Sequence, residues 1–91
     1  MYLEIISPEA ILYQGEVKSI SFPGSYGDFQ VLDNHAPIVS TLKKGQVKIQ
    51  GKMTINKEVK KYFNISDKET FLDINSGTVE MSNNNVTLLI D

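Results

Sequence analysis

The sequence predicts an all-β chain, with roughly ten short strands packed as a β-sandwich or flattened barrel over residues 1–91. Three observations carry this reading. Runs rich in Val, Ile, Phe, Tyr and Thr alternate with polar residues at a period of two, as half-buried strands do. Gly, Pro, Asn and Asp cut these runs short, and the resulting strands are spaced roughly 7 to 10 residues apart. A sandwich is the architecture that buries one face of every such strand against a second sheet.

Taken in order, the expected strands are Tyr2–Ile6, Ile11–Tyr13, Val17–Phe22, Gly27–Leu32, Ile38–Leu42, Gln46–Gln50, Met53–Ile55, Val59–Ile65, Phe71–Ile74, Val79–Met81 and Val86–Ile90. The plainest is Gln46-Val47-Lys48-Ile49-Gln50, which places Val47 and Ile49 on one face and three polar side chains on the other. Val79 and Met81, then Val86, Leu88 and Ile90, repeat that alternation on either side of Asn83-Asn84-Asn85. Asn tolerates positive φ, so these two strands read as a hairpin. Ile38–Leu42 and the stretch around Val59, Tyr62 and Phe63 would also fit one face of a helix, but both are too short to nucleate one without strong caps. The length suits one domain, and neither an internal repeat nor a low-complexity linker divides it.

Composition narrows the function classes. The formal charge is -2, and all nine positive side chains are Lys. No dense basic stripe is present to neutralise phosphates, and no Arg supplies a bidentate fork, so nucleic acid is not an expected partner. The absence of Cys removes disulfides and thiolate metal sites and favours an intracellular setting. The opening Met-Tyr-Leu-Glu-Ile-Ile-Ser-Pro has neither the basic start nor the apolar run of a signal peptide, and no segment reaches membrane-spanning length. No membrane insertion, cofactor or metal is expected.

Candidate chemistry centres on the one histidine. His35 lies near Asp33 and Ser40, yet nothing resembles a nucleophile elbow, and Asp33-Asn34-His35-Ala36-Pro37 reads as a turn ahead of a strand. A structural or interface role for His35 is therefore expected over catalysis. Gly24-Ser25-Tyr26-Gly27-Asp28 lacks the Lys-Ser/Thr of a phosphate loop and runs into strand-like Phe29-Gln30-Val31, so no helix N-terminus meets an anion there. It reads instead as a tight connection in which Gly24 and Gly27 adopt conformations other residues avoid, with Asp28 exposed near the tip. Asn64-Ile65-Ser66 and Asn85-Val86-Thr87 match a glycosylation sequon, which carries no weight without secretion. Lys57, Lys60 and Lys61 read as a solvated strand face, and Asp67 with Glu69 as an exposed loop. An unrelated β-sandwich module that reads carbohydrate or peptide would need exposed aromatics, for which only Tyr2, Tyr26 and Tyr62 are candidates. An esterase-like use of Ser40 and His35 has no supporting motif.

The order Gly24-Ser25-x-Gly27-Asp28-Phe29, followed by Leu32-x-Asn34-His35-Ala36-Pro37-Ile38, closely resembles the signature of the epsilon subunit of bacterial F-type ATP synthases. Agreement continues through Leu3–Glu9, Tyr13–Val17, Lys44-Gly45 before Val47-Lys48-Ile49, Gly77–Met81 and Asn85–Leu88. The resemblance thus spans nearly the whole chain and weakens only from Lys52 to Lys68. It implies a ten-stranded sandwich at the foot of a rotating central stalk, peripheral to the cytoplasmic side of the bacterial inner membrane. It also implies a non-catalytic subunit that binds the gamma subunit and the polar loops of the c-ring. By that likeness Tyr26, Gly27 and Asp28 face the c-ring, with Asp28 keeping the charge of the family's usual Glu on a shorter side chain. Ser7, His35, Ala36 and Ser40 fall at positions of gamma contact. Many relatives continue into a C-terminal helical hairpin that can inhibit ATP hydrolysis and in some binds ATP; this sequence carries neither feature, so no ATP binding is expected.

Overall fold

Alternating apolar residues in ten strands form two five-stranded sheets, and the inward-facing members of each strand meet in one core. The computed structural model describes residues 1–91. Its strands are β1 (Tyr2–Ile6), β2 (Ile11–Glu16), β3 (Ser19–Phe22), β4 (Phe29–Leu32), β5 (Ile38–Leu42), β6 (Gly45–Gln50), β7 (Phe63–Ile65), β8 (Glu69–Ile74), β9 (Gly77–Ser82) and β10 (Asn85–Ile90). Sheet A has the order β2-β1-β10-β9-β5 and sheet B the order β4-β3-β6-β8-β7. Every pairing is antiparallel except β1 with β10, which is parallel and sets Leu3 beside Val86 and Ile5 beside Leu88. These four side chains are fully buried and join Ile20, Val31, Val47, Ile49 and Leu72 of sheet B in a single cluster.

The β9–β10 hairpin follows its predicted turn. Asn83 and Asn84 sit at φ of 51° and 61°, the left-handed geometry of a two-residue connection whose twist matches the flanking strands. Val86 then pairs with Met81 and Leu88 with Val79, so both strands bury the same face.

Several expected boundaries move. Val17 and Lys18 form a crossover between the sheets, so β3 begins at Ser19; Gly27 and Asp28 stay in the loop, so β4 begins at Phe29; and β2 extends to Glu16. Glu69 belongs to β8 rather than to a loop, with its carbonyl closing the turn from Ser66 N–H at 2.9 Å. The larger correction lies between Gly51 and Tyr62. Met53–Ile55 is not a strand, and Lys60–Tyr62 is a single 3-10 turn, leaving only Phe63–Ile65 of the expected Val59–Ile65 strand. Met53, Ile55 and Val59 still turn inward onto the core, so the apolar spacing reports burial while the backbone pairs with no neighbour. Thr54 and Asn56 lie beside Ile11–Gln14, which places this strap along the β2 edge. Lys57, Lys60 and Lys61 accordingly decorate a strap and a turn, with the Lys61 Nζ 5.4 Å from the Tyr62 ring centroid, rather than a strand face.

Because a non-Gly residue in the left-handed region costs about 1–2 kcal/mol, and β-branched residues fare worst there, Asn83→Val is expected to lower stability by that amount while Asn83→Gly is nearly neutral. Thermal melts check this: for a domain of this size each kcal/mol moves the midpoint by about 4–8 °C.

Candidate functional site

The strand register places the candidate residues at two ends of the sandwich. Ile6, Leu42, Gly77 and Ile90 mark one end of sheet A, while Tyr2, Ile38, Ser82 and Asn85 mark the other. Gly24 bridges to Leu42, so the Gly24–Asp28 loop sits at the first end. His35 and Ala36 lead into Ile38, and the Asn34 N–H donates to the Asn84 Oδ1 at 2.8 Å, so they sit at the second.

The glycine loop has a locked base and a free tip. Phe22 and Phe29 pair across the mouth of the β3–β4 connection with ring centroids 5.3 Å apart. Ser25 N–H donates to the Thr41 carbonyl at 3.0 Å, Lys43 N–H to the Pro23 carbonyl at 2.9 Å, and the Thr41 Oγ1 to the Ser25 Oγ at 2.9 Å. Of the two glycines, only Gly27 has the expected positive φ, at 131°. Gly24 is required for a different reason: a Cβ there would lie 2.4 Å from the Gly27 carbonyl oxygen and 2.9 Å from the Phe29 ring. Tyr26 is wholly exposed, and Asp28 is exposed at the step into β4 rather than at the tip itself.

At the opposite end, the His35 N–H donates to the Leu32 carbonyl at 3.1 Å, and Asn34 takes a left-handed φ of 62° to make the turn. The His35 Nδ1 donates to the neighbouring Ala36 carbonyl at 2.7 Å, which leaves Nε2 facing solvent. Asp33 accepts from the Met1 α-ammonium, which also donates to the Val17 carbonyl at 3.2 Å and lies 3.8 Å from Glu16. Hydrogen bonding and charge attraction from that ammonium hold the Asp33 carboxyl below its ordinary value, with a smaller contribution from Asn84. Asp33, His35 and Ser40 therefore have separate partners: the Ser40 hydroxyl donates to the Thr41 carbonyl at 3.1 Å, and the three side chains form no relay.

The expected contact residues do not form one cluster. Tyr26, Gly27 and Asp28 share a loop; His35 and Ala36 share the far turn. Ser7 lies at the glycine-loop end, following β1, with its hydroxyl closing a turn onto Ala10 at 3.1 Å. Ser40 stands on the edge strand β5, half-buried and on the same face as Leu42, whereas its neighbour Val39 points outward and is 81% exposed. Val39 carries no polar group and lies in an ordinary strand pattern, so only its place at a sheet edge singles it out. The exposed tyrosines Tyr2, Tyr26 and Tyr62 sit on β1, the glycine loop and the 3-10 turn, too dispersed to line one carbohydrate groove.

A family model described as the ATP synthase delta/epsilon chain β-sandwich domain matches residues 1–91. The chain is 38% identical over 90 residues to the ATP synthase epsilon chain of a Nitratiruptor species, covering 98% of this chain and 59% of that one. With the epsilon chain of Leptospira interrogans it shares 39% identity over 89 residues, with the same coverage of each. With that of Campylobacter jejuni it shares 50% over 56 residues, covering 62% of this chain and 43% of the relative. The chain thus spans about 59% of the length of the first two. A solved structure of the Tetrahymena thermophila mitochondrial ATP synthase central stalk and c-ring contains a chain with the same fold, at a TM-score of 0.71 and 15% identity, over 99% of this chain and 62% of that one.

The charge pair at the histidine-turn end can be read in solution. A carboxyl held low in the folded state adds stability that is present above the unfolded value and is lost as pH falls through the folded one. The urea midpoint of the wild-type chain is therefore expected to fall more steeply below about pH 4 than that of Asp33→Asn, with the two curves flat and parallel near pH 7. Superimposable acid limbs would show that the pair contributes nothing.

Proposed function

This chain belongs to the β-sandwich domain family of ATP synthase delta/epsilon chains, and from that premise we propose that it is a non-catalytic subunit of the central stalk. In this reading it binds the gamma subunit and the polar loops of the c-ring, on the cytoplasmic face of the membrane. Rotation of the ring by proton flow is thereby passed to the stalk and on to ATP synthesis. What supports the reading in the geometry is the separation of two contact elements on one rigid body: the Tyr26–Asp28 loop at one end and the His35–Ala36 turn at the other. A part that joins two partners must present two surfaces and yield little between them. The single buried core, with the loop base tied to β5, meets that requirement.

Ser7 and His35 lie at opposite ends of sheet A, so a gamma subunit that touched both would have to span the length of that sheet. The ring would meet the glycine loop, where Tyr26 offers an aromatic surface and Asp28 a negative charge. Interfaces favour aromatic anchors with charged rims, and reversing a rim charge slows association and weakens it without disturbing the fold.

Asp28→Lys is therefore expected to weaken docking to c-ring membranes by about tenfold, equal to about 1.4 kcal/mol, and to lower ATP-driven proton pumping in reconstituted complexes. Its melting point should stay near that of wild type, because exposed substitutions of this kind usually move stability by less than about 0.5 kcal/mol. Normal assembly and fully coupled pumping in that variant would remove the c-ring assignment, and failure of purified gamma subunit to co-elute with the wild-type chain would remove the stalk assignment.

A further inference from the structure

A sheet has two edges, and an unpaired edge strand is a template for another strand unless something blunts it. Sheet A ends in β2 and β5, and sheet B in β4 and β7. The strap that carries Thr54 and Asn56 runs beside β2, β7 has three residues, and β4 has four, with its last carbonyl, that of Leu32, already accepting from His35. β5 differs. Its sequence Ile-Val-Ser-Thr-Leu is rich in β-branched residues, uncharged and free of bulges, and it pairs with β9 in unbroken register.

The direction of its backbone groups follows from one hydrogen bond. Ser25 N–H reaches the Thr41 carbonyl, so Thr41 turns its main-chain groups away from β9. Both main-chain groups of a strand residue point to the same side, and sides alternate along the strand. Ser40 and Leu42 therefore face β9, while Val39 faces outward with both N–H and C=O. Pro37 adds an outward carbonyl and lacks an N–H. The glycine loop covers the Thr41–Leu42 half of this edge, leaving Pro37 to Thr41 N–H open beside a Val39 side chain that is 81% exposed.

The surroundings specify what would fit. None of the five strands of sheet A contains a Lys, whereas Glu4, Glu16 and Glu80 lie on its outer face, and Glu80 stands directly opposite Val39 on β9. We infer that the open half of β5 takes an extended segment of the gamma subunit as an added strand, with an apolar side chain against Val39 and Lys or Arg toward Glu80. This rests on the stalk reading for the identity of the partner, and it continues the contact expected at His35, Ala36 and Ser40, which flank or lie on the same strand. Main-chain bonds supply the attachment and the outward side chains its selectivity.

Amide hydrogen exchange on the full chain, alone and with purified gamma subunit, tests this. In the free chain Val39 and Thr41 amides should exchange fast, and Ser40 and Leu42 slowly. Saturating gamma subunit should slow Val39 and Thr41 by at least tenfold. Val39→Pro, which removes the outward N–H at an edge position that tolerates Pro, should weaken gamma binding by at least tenfold, whereas Val39→Thr, which keeps the backbone, should cost less than threefold. A melting curve confirms that each variant is folded, and if Val39→Pro unfolds the chain the exchange result decides alone. Binding without new protection at Val39 and Thr41 overturns strand addition and leaves the stalk reading standing. No binding by the wild-type chain overturns both.

Discussion

Everything in the fold leans on the parallel pairing of β1 with β10. Residues near the two ends of the sequence, Leu3 with Val86 and Ile5 with Leu88, must meet before sheet A has a centre, and these side chains are among the most deeply buried in the molecule. Closing so long a segment costs chain entropy that no local contact offsets, which makes the fold strongly non-local and its assembly slow relative to helical domains of the same size. Once made, the pairing fixes much else. It sets the Ser7 turn at one end of sheet A, and at the other brings the Met1 ammonium to Asp33 and the Asn84 side chain to Asn34, so the turn bearing His35 is held by groups from both extremes of the chain.

Rigidity at the exposed elements is of the same origin. The glycine loop would be a free connection if it were held only by its own strands. Instead its base is tied to β5 of the other sheet by main-chain bonds at Ser25 and Lys43, above the Phe22–Phe29 contact that joins its own flanking strands. Tyr26 and Asp28 are therefore exposed without being loosely hung. Ordering such side chains on binding costs less entropy than ordering a mobile loop, which suits a surface that docks as a rigid element.

Legibility in the sequence tracked the physics of each segment. Where a strand is half-buried and paired on both sides, as in Gln46–Gln50, the period of two read correctly, because burial and pairing impose the same pattern. Around Met53, Ile55 and Val59 they part company: alternate residues are buried under a strap whose backbone bonds to no strand, and periodicity reports only the burial. The turn at Asn83-Asn84 was legible because Asn accepts positive φ. Gly24 was misread because its glycine serves close packing against Phe29 and the Gly27 carbonyl rather than an unusual φ. The contact candidates came from resemblance, and the sequence could not show that Ser7 and His35 lie at opposite ends, since that depends on which strands neighbour one another. Val39 escaped notice for the same reason; being at an edge is a property of the sheet order.

Charge distribution is a further case in which three dimensions say what composition hides. A net charge of -2 on 91 residues predicts no particular orientation toward a partner. In the fold, eight of the nine Lys lie outside the strands, with only Lys48 in one, while sheet A carries Glu4, Glu16 and Glu80 and no Lys, the Met1 ammonium 3.8 Å from Glu16 being the one cation beside them. Opposite charges that would cancel in an average are thus kept on different surfaces, within the roughly 8 to 10 Å over which exposed charges act at physiological salt. A basic partner approaching sheet A meets a consistent field, and one approaching the loops does not. The acidic face therefore orients an encounter that the exposed edge of β5 can then fix by main-chain pairing, each contributing what the other lacks: steering from charge, register from the backbone.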